Sequence, residues 1–341
     1  MSFLSGVGAA LGLSRDKSAL STGQMFKHFK ATYAAATCDV SVDDCEQVRF
    51  AVCCGIPRCL LSPPCLAGVA VPQRRPEEQG GGRVHRPRVQ HQRALLQVWC
   101  TTALQPAHPS RHQRAFRQLC ALCPKGYHIV ACQPPPFDNL DALCRSFERF
   151  LNAQSLPRVH LVGCSLGGYI AAHFTSFFPS RVASLVMCNA FVSTQAFVET
   201  MPVLATGGLA FSVMPAFALR AVIMQSLDEG TLLPEVADAV DFVVEELDSV
   251  PREQLASRLA AHCAVHKVRG PLRIEPEQIL IIESHDKIAR PPRLKEELLQ
   301  FFPGSKVGEM KHGGDFPYLS FPEEFNVFIE VHLKRNGYKL S

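Results

Sequence analysis

The start of the chain lacks both a basic leader and a long apolar run: Met1, Ser2, Phe3, Leu4, Ser5, Gly6 and Val7 make neither. A secretory signal is therefore not expected. The 14 cysteines then read as reduced thiols of a cytosolic protein, not as a disulfide framework. Cys120 and Cys123 form a single CxxC without a second pair at zinc-ligand spacing, so no metal site is expected. A Gly-rich phosphate loop is also missing, and no cofactor is expected. The net charge of +4 is too small to argue for nucleic acid. A clean membrane span is lacking too. Residues 201–219 carry no charge and approach the length a bilayer requires, but Pro202, Gly207, Gly208 and Pro215 interrupt them. They read as short buried or interfacial helices.

The largest local deficit lies between Ala51 and Ala115. That stretch has no Lys, Asp, Asn, Tyr, Phe or Met, while Arg, Pro, Gln and His crowd in. Such a composition builds little core. Residues 72–114 are expected to be an irregular insertion or an out-of-frame translation. With neither Phe nor Tyr between the basic residues, a base-stacking surface is not expected. Residues 1–25 read as a disordered tail, and residues 26–341 as a single domain.

What is present is an alternation. Val48 to Val52 could form an early strand. Gly126 to Cys132 reads as a buried strand, stopped by Pro134, Pro135 and Pro136. Leu140, Leu143, Cys144, Phe147, Phe150 and Leu151 have helical spacing. Val159 to Val162 and Val182 to Cys188 are short apolar runs typical of strands buried in a parallel sheet. A helical stretch from Gly167 lies between them and ends at Pro179. Residues 190–268 are helical by pattern and read as a cap inserted into the sheet domain. Strand-like sequence returns at Gln278 to Ile282 and at Lys306 to Met310, before a last helix that begins at Pro322. Strand and helix in turn argue for a mostly parallel, doubly wound α/β sheet.

Gly163-Cys164-Ser165-Leu166-Gly167 sits at one strand-to-helix junction. This is the nucleophile elbow of an α/β-hydrolase fold. Ser165 is held in a tight turn, Gly163 and Gly167 leave it room, and the helix N-terminus faces the reacting oxygen. The Leu166 N–H is one expected oxyanion donor. The second is expected after the third strand, with the loop from Ser62 to Gly68 as candidate. A serine needs a base, and the base needs an orienting acid. Asp286 follows a late strand where that acid belongs. The histidine belongs after the final strand, often just before Phe-Pro. Here the residue before Phe316 and Pro317 is Asp315, and the nearest histidine is His312. His312 can serve only if its loop bends back toward Asp286. Asp315 in the same place would set two carboxylates against each other.

Several motifs resemble the maspardin family. They are Gly126-Tyr127-His128-Ile129-Val130-Ala131, the elbow segment from Val159 to Gly168, Leu185-Val186-Met187-Cys188-Asn189-Ala190-Phe191, Met214-Pro215-Ala216-Phe217, Ala237-Asp238-Ala239-Val240-Asp241-Phe242, Gln254-Leu255-Ala256-Ser257-Arg258-Leu259, and Gly313-Gly314-Asp315-Phe316-Pro317-Tyr318-Leu319. The resemblance implies an α/β-hydrolase fold that keeps the serine elbow without a clear catalytic histidine. It implies an adaptor more than an enzyme, with protein partners such as a cytoplasmic receptor tail or sorting machinery. It also implies a cytoplasmic location with peripheral contact to endosomal and trans-Golgi membranes. The alternative from the residues themselves is a serine ester or thioester hydrolase using Ser165, Asp286 and His312.

Overall fold

The computed structural model describes the backbone at residues 33–42, 46–57 and 94–100. It also describes Leu122, Lys125, Tyr127 and most of the chain from 129 to 338, apart from residues 201–207, 225–226, 228–231, 249, 265 and 287–289. Eight strands make one sheet: β1 (Tyr33–Val42), β2 (Glu46–Pro57), β3 (Ala94–Cys100), β4 (Ile129–Gln133), β5 (Val159–Ser165), β6 (Val182–Cys188), β7 (Ile279–Ser284) and β8 (Lys306–Met310). Their spatial order is β1-β2-β4-β3-β5-β6-β7-β8. The β1–β2 and β2–β4 pairs are antiparallel, and every pairing from β4 through β8 is parallel.

One expectation is corrected here. The segment 72–114, read as irregular, contains β3, which pairs with both β4 and β5. The apolar residues Leu95, Leu96, Val98 and Trp99 suit a strand flanked on both sides. The depleted composition around them hides so short a run. The tail 1–25 and the Cys120–Cys123 pair lie outside the described residues.

The centre of the sheet is fully covered. Every residue of β6 and β7 is buried, as parallel strands between two helical layers require. Each Val, Leu or Ile hidden there contributes roughly 1.5–3 kcal/mol before chain entropy is charged against it. On one layer, α1 (Leu140–Ala153) turns Leu143, Cys144, Phe147, Phe150 and Leu151 to the core. The Asn139 side chain caps it by accepting from the Ala142 N–H at 3.0 Å. Beside it, α2 (Leu166–Phe177) is buried from Leu166 through Thr175. Three more helices follow the later strands: α8 (Pro292–Phe301) between β7 and β8, and α9 (Pro317–Ser320) and α10 (Pro322–Arg335) after β8.

Between β6 and β7 the described residues form five helices: α3 (Gln195–Thr200), α4 (Gly208–Val213), α5 (Ala216–Met224), α6 (Pro234–Leu247) and α7 (Arg252–Cys263). The two ends of this helical segment are stitched together. Ser193 bridges to Lys267, the Val268 N–H donates to Val192 at 2.8 Å, and the Thr194 N–H donates to His266 at 3.1 Å. The uncharged run near residue 210 becomes the separate helices α4 and α5 around Pro215. Among the described residues no helix is long and apolar enough to cross a membrane.

Candidate functional site

The C-terminal ends of β5, β6, β7 and β8 bring the predicted residues to one edge of the sheet. At the end of β5, Ser165 has φ 49° and ψ −123°, a left-handed backbone that a side-chain-bearing residue adopts only when its surroundings enforce it. Gly163 is part of the enforcement. A Cβ there would lie 2.5 Å from the carbonyl carbon and oxygen of Gly167 and 2.6 Å from the Gly168 nitrogen. Gly168 gives the next turn its room, since a Cβ there would meet the Ala190 Cβ at 2.4 Å. The Ser165 hydroxyl is half-buried and makes no capping bond to the helix it precedes. It is left for chemistry, beside first-turn N–H groups of α2 that lack intrahelical acceptors. Leu166, the predicted oxyanion donor, is the first residue of that helix.

The end of β3 adjoins this turn, with Cys100 opposite Ser165. The loop after the third strand thus begins beyond Cys100. The expectation that Ser62 to Gly68 fills that role is corrected, because those residues follow β2 instead. Both loops lie outside the described residues.

Asp286 lies two residues past β7 and His312 two residues past β8. His312 Nδ1 is 3.2 Å from Asp286 Oδ1, so the ring donates to the carboxylate when that nitrogen carries the proton. The Gly313 and Gly314 N–H groups both donate to Asp286 Oδ2, at 2.7 and 3.0 Å. Partial burial raises the Asp286 carboxyl, but these two donors and the His312 ring outweigh it and hold it below the usual carboxylate value. The loop does bend back. Gly314 has φ 58°, and the turn of Gly313 and Gly314 wraps the Asp286 oxygen. His312 meets the acid, and Asp315 sits half-buried further along the same turn. Among the described residues no hydrogen bond joins Ser165 to His312, whose side chain keeps 40% of its exposure. Catalytic contacts are often long until a substrate is bound.

Further residues hold these loops, and the sequence reading missed them. Asn189, at the end of β6 with φ 45°, accepts from the Ser284 N–H at 3.0 Å and donates to Gly314 O at 3.0 Å. It ties the exit of β6 to the exits of β7 and β8. Ser320 donates to Gly313 O at 2.8 Å. Behind Asp286, the buried Glu283 carboxylate takes a two-pronged ion pair from Arg290, whose guanidinium also donates to Ala190 O. Asparagine's tolerance of left-handed backbone was the one available signal for Asn189. Arg290 gave none. Among the described residues no group of His, Cys, Asp and Glu could hold a metal ion, and no disulfide joins Cys132, Cys144, Cys164, Cys188 or Cys263.

Comparison with known proteins bears on the same residues. A family model described as alpha/beta hydrolase fold matches residues 110–207, which include the elbow. Maspardin of Danio rerio is 35% identical over 222 residues, covering 64% of this chain and 70% of that protein. Maspardin of Homo sapiens is 36% identical over 221 residues with the same coverage, 64% and 70%. Among solved structures, an esterase of Thermogutta terrifontis aligns with a TM-score of 0.60 at 17% identity, covering 89% of this chain and 100% of that one. An enol-lactonase of Burkholderia xenovorans aligns with a TM-score of 0.54 at 14% identity, covering 73% and 94%. At such identities these two speak for the fold alone, and the fold is that of the α/β hydrolases.

Proposed function

We propose that this chain, which belongs to the maspardin family of α/β-hydrolase-fold proteins, retains a serine-hydrolase site and acts on a carboxylic ester or thioester. The observation that carries this reading is the Asp286–His312 contact of 3.2 Å, set beside an elbow whose serine is not consumed by capping. In this mechanism Ser165 Oγ attacks the carbonyl carbon. His312 takes the hydroxyl proton on the ring nitrogen that faces away from Asp286. Asp286 fixes the ring and stabilises the imidazolium that forms. The Leu166 N–H and its neighbours at the start of α2 stabilise the tetrahedral oxyanion. The imidazolium then returns its proton to the leaving alcohol or thiol. Water, deprotonated by the same ring, releases the acid and restores Ser165.

A second reading makes the chain a binding protein, an adaptor that takes a receptor tail or sorting component at endosomal and trans-Golgi membranes. It is favoured by Asp315 preceding Phe316 and Pro317 and by the open Ser165–His312 pair. The helical segment also leaves Val213 83% and Phe217 74% exposed, an apolar face of the kind that partners cover.

A fluorophosphonate probe separates the two, since it labels a serine only when its hydroxyl is activated. The hydrolase reading expects labelling that disappears in both Ser165→Ala and His312→Ala. A folded wild-type protein that takes no label would remove that reading and leave the adaptor.

A further inference from the structure

The last helix, α10, lies over the edge of the sheet. It packs on β8, the final strand in the spatial order, where a Cβ at Gly308 would meet the Phe328 ring at 2.7 Å. Phe325, Asn326, Ile329, His332 and Leu333 are its buried residues. At 3.6 residues per turn, the stripe on the opposite side of the helix is Glu324, Val327, Val331 and Lys334. All four are exposed, Val327 at 59% and Val331 at 43%.

Three features of this stripe point to a helix as its occupant. Its residues recur at intervals of three, four and three, the spacing of a helix–helix seam. Its apolar centre is flanked by charge, as the core of an interface is by its rim. The charge is also segregated by end: Glu323 and Glu324 stand in the first turn, Lys334 and Arg335 in the last. That segregation suits the helix dipole on its own account, but the two valines gain nothing from it. In solvent they are poorer helix formers than the Glu, Lys and Arg around them, and they leave apolar surface in water.

The stripe is complementary to its own reverse. Val327 and Val331 lie two residues either side of Ile329, and Glu324 and Lys334 lie five either side. Two copies of α10 packed antiparallel about a twofold axis beside Ile329 therefore place Val327 of each against Val331 of the other. Glu324 of each then meets Lys334 of the other. Such a contact uses one patch on both copies and closes on itself. Competition from within the chain is weak. Lys334 lies 3.9 Å from Glu330 of its own helix, and Glu324 forms no ion pair among the described residues.

We propose that the exposed face of α10 is a self-association surface on which a second copy of this chain docks antiparallel. A single pair of 14-residue helices offers less than the roughly 1,200–2,000 Å² of stable interfaces, so the dimer is weak and depends on concentration. It stands under either reading of the elbow, because Ser165, Asp286 and His312 take no part in it.

Sedimentation equilibrium of the full chain tests this. Between about 1 and about 200 µM the mean mass of wild type should rise from one chain toward two. The double variant Val327→Ser, Val331→Ser should raise the dissociation constant by roughly tenfold or more, because each change enters the twofold contact twice. Lys334→Glu sets like charges against each other at both rims and should raise it by roughly threefold to fivefold. The charge swap Glu324→Lys, Lys334→Glu should bring it back to near the wild-type value, as the antiparallel register requires. Circular dichroism checks that each variant is folded. Phe217→Ser, on the exposed apolar face of the helical segment, should leave association unchanged. The proposal is overturned if folded wild type stays a single chain at the highest concentration, which would leave this face to a different partner. It is also overturned if association survives the paired serine changes, or if Phe217→Ser abolishes it and so moves the contact to the helical segment. A charge swap that associates no better than Lys334→Glu alone would overturn it as well.

Discussion

The molecule holds two aspartate–histidine pairs of nearly equal length in opposite settings. Asp286 and His312 meet at 3.2 Å on loops that follow β7 and β8. Asp141 and His173 meet at 3.0 Å on α1 and α2. In the first pair the histidine side chain keeps 40% of its exposure, and in the second it keeps 6%. The acids also differ in what steadies them. Asp286 relies on two backbone N–H groups as well as its histidine. Asp141 is held low mainly by the His173 hydrogen bond, with burial opposing. A pair that exchanges protons with a reacting group needs an open ring and a fixed acid, as at Asp286. A ring buried in its neutral form serves packing and recognition better, as at His173. The same two residue types perform different work according to whether a loop or a helix presents them.

The comparison is tested most severely at the two acids. Asp286→Asn leaves the size of the side chain but removes the charge that fixes His312. Fluorophosphonate labelling of Ser165 is expected to slow by roughly 10³-fold or more. Asp141→Asn is expected to leave the labelling rate unchanged, because that acid belongs to the other pair. Time courses of labelling for both variants measure this. Equal slowing would mean that the two pairs are coupled through α2 and that the contrast between them is false.

The sequence made some of this legible and hid the rest, for identifiable reasons. The elbow was readable because the need for small residues at Gly163 is local: the clashing atoms belong to Gly167 and Gly168, a few positions on. The strand β6 was readable residue for residue, since a doubly covered strand must be apolar throughout. The strand β3 was not, because seven residues of acceptable strand sequence sit inside a stretch whose composition argues the other way. The Asp286–His312 contact depends on a turn with a left-handed Gly314, and the Phe316-Pro317 anchor drew attention to Asp315 instead. Asp141 and His173 are 32 positions apart. Nothing in an apolar helix such as α2 announces that its one histidine faces the first turn of α1.

A smaller effect separates the pairs by pH. His173 titrates below its ordinary value of about 6.5 in the folded protein, because burial opposes the charged ring. The unfolded chain takes up that proton first as the pH falls. Stability associated with His173 is thus complete above the unfolded value and is lost as the pH falls through the folded one. Urea midpoints measured between about pH 8 and about pH 5 should drop further for wild type than for His173→Gln. The Asp141 carboxyl, lowered chiefly by His173, adds its own loss only at more acidic pH. Parallel midpoints for the two proteins would mean that the folded His173 ring accepts its proton freely, and the contrast with His312 would lose its electrostatic half.

The smallest expected effect lies at the cap of α1. Asn139 accepts the Ala142 N–H at 3.0 Å and so fixes the first turn, which carries Asp141. Asn139→Ala leaves that N–H without its side-chain acceptor and should cost about 1 kcal/mol of stability. The change acts on the buried pair alone. Fraying of the first turn moves Asp141 away from His173, while the loops around Asp286 are held by Asn189 and Ser320, which make no hydrogen bond to α1 among the described residues. Urea unfolding should therefore report the loss, and the rate of Ser165 labelling should not change. The conservative variant Asn139→Asp, which keeps an acceptor and adds a negative charge at a helix N-terminus, should restore the stability. A slower labelling rate in Asn139→Ala would show that strain in α1 reaches the elbow through α2, and the two pairs would then have to be treated as one connected site.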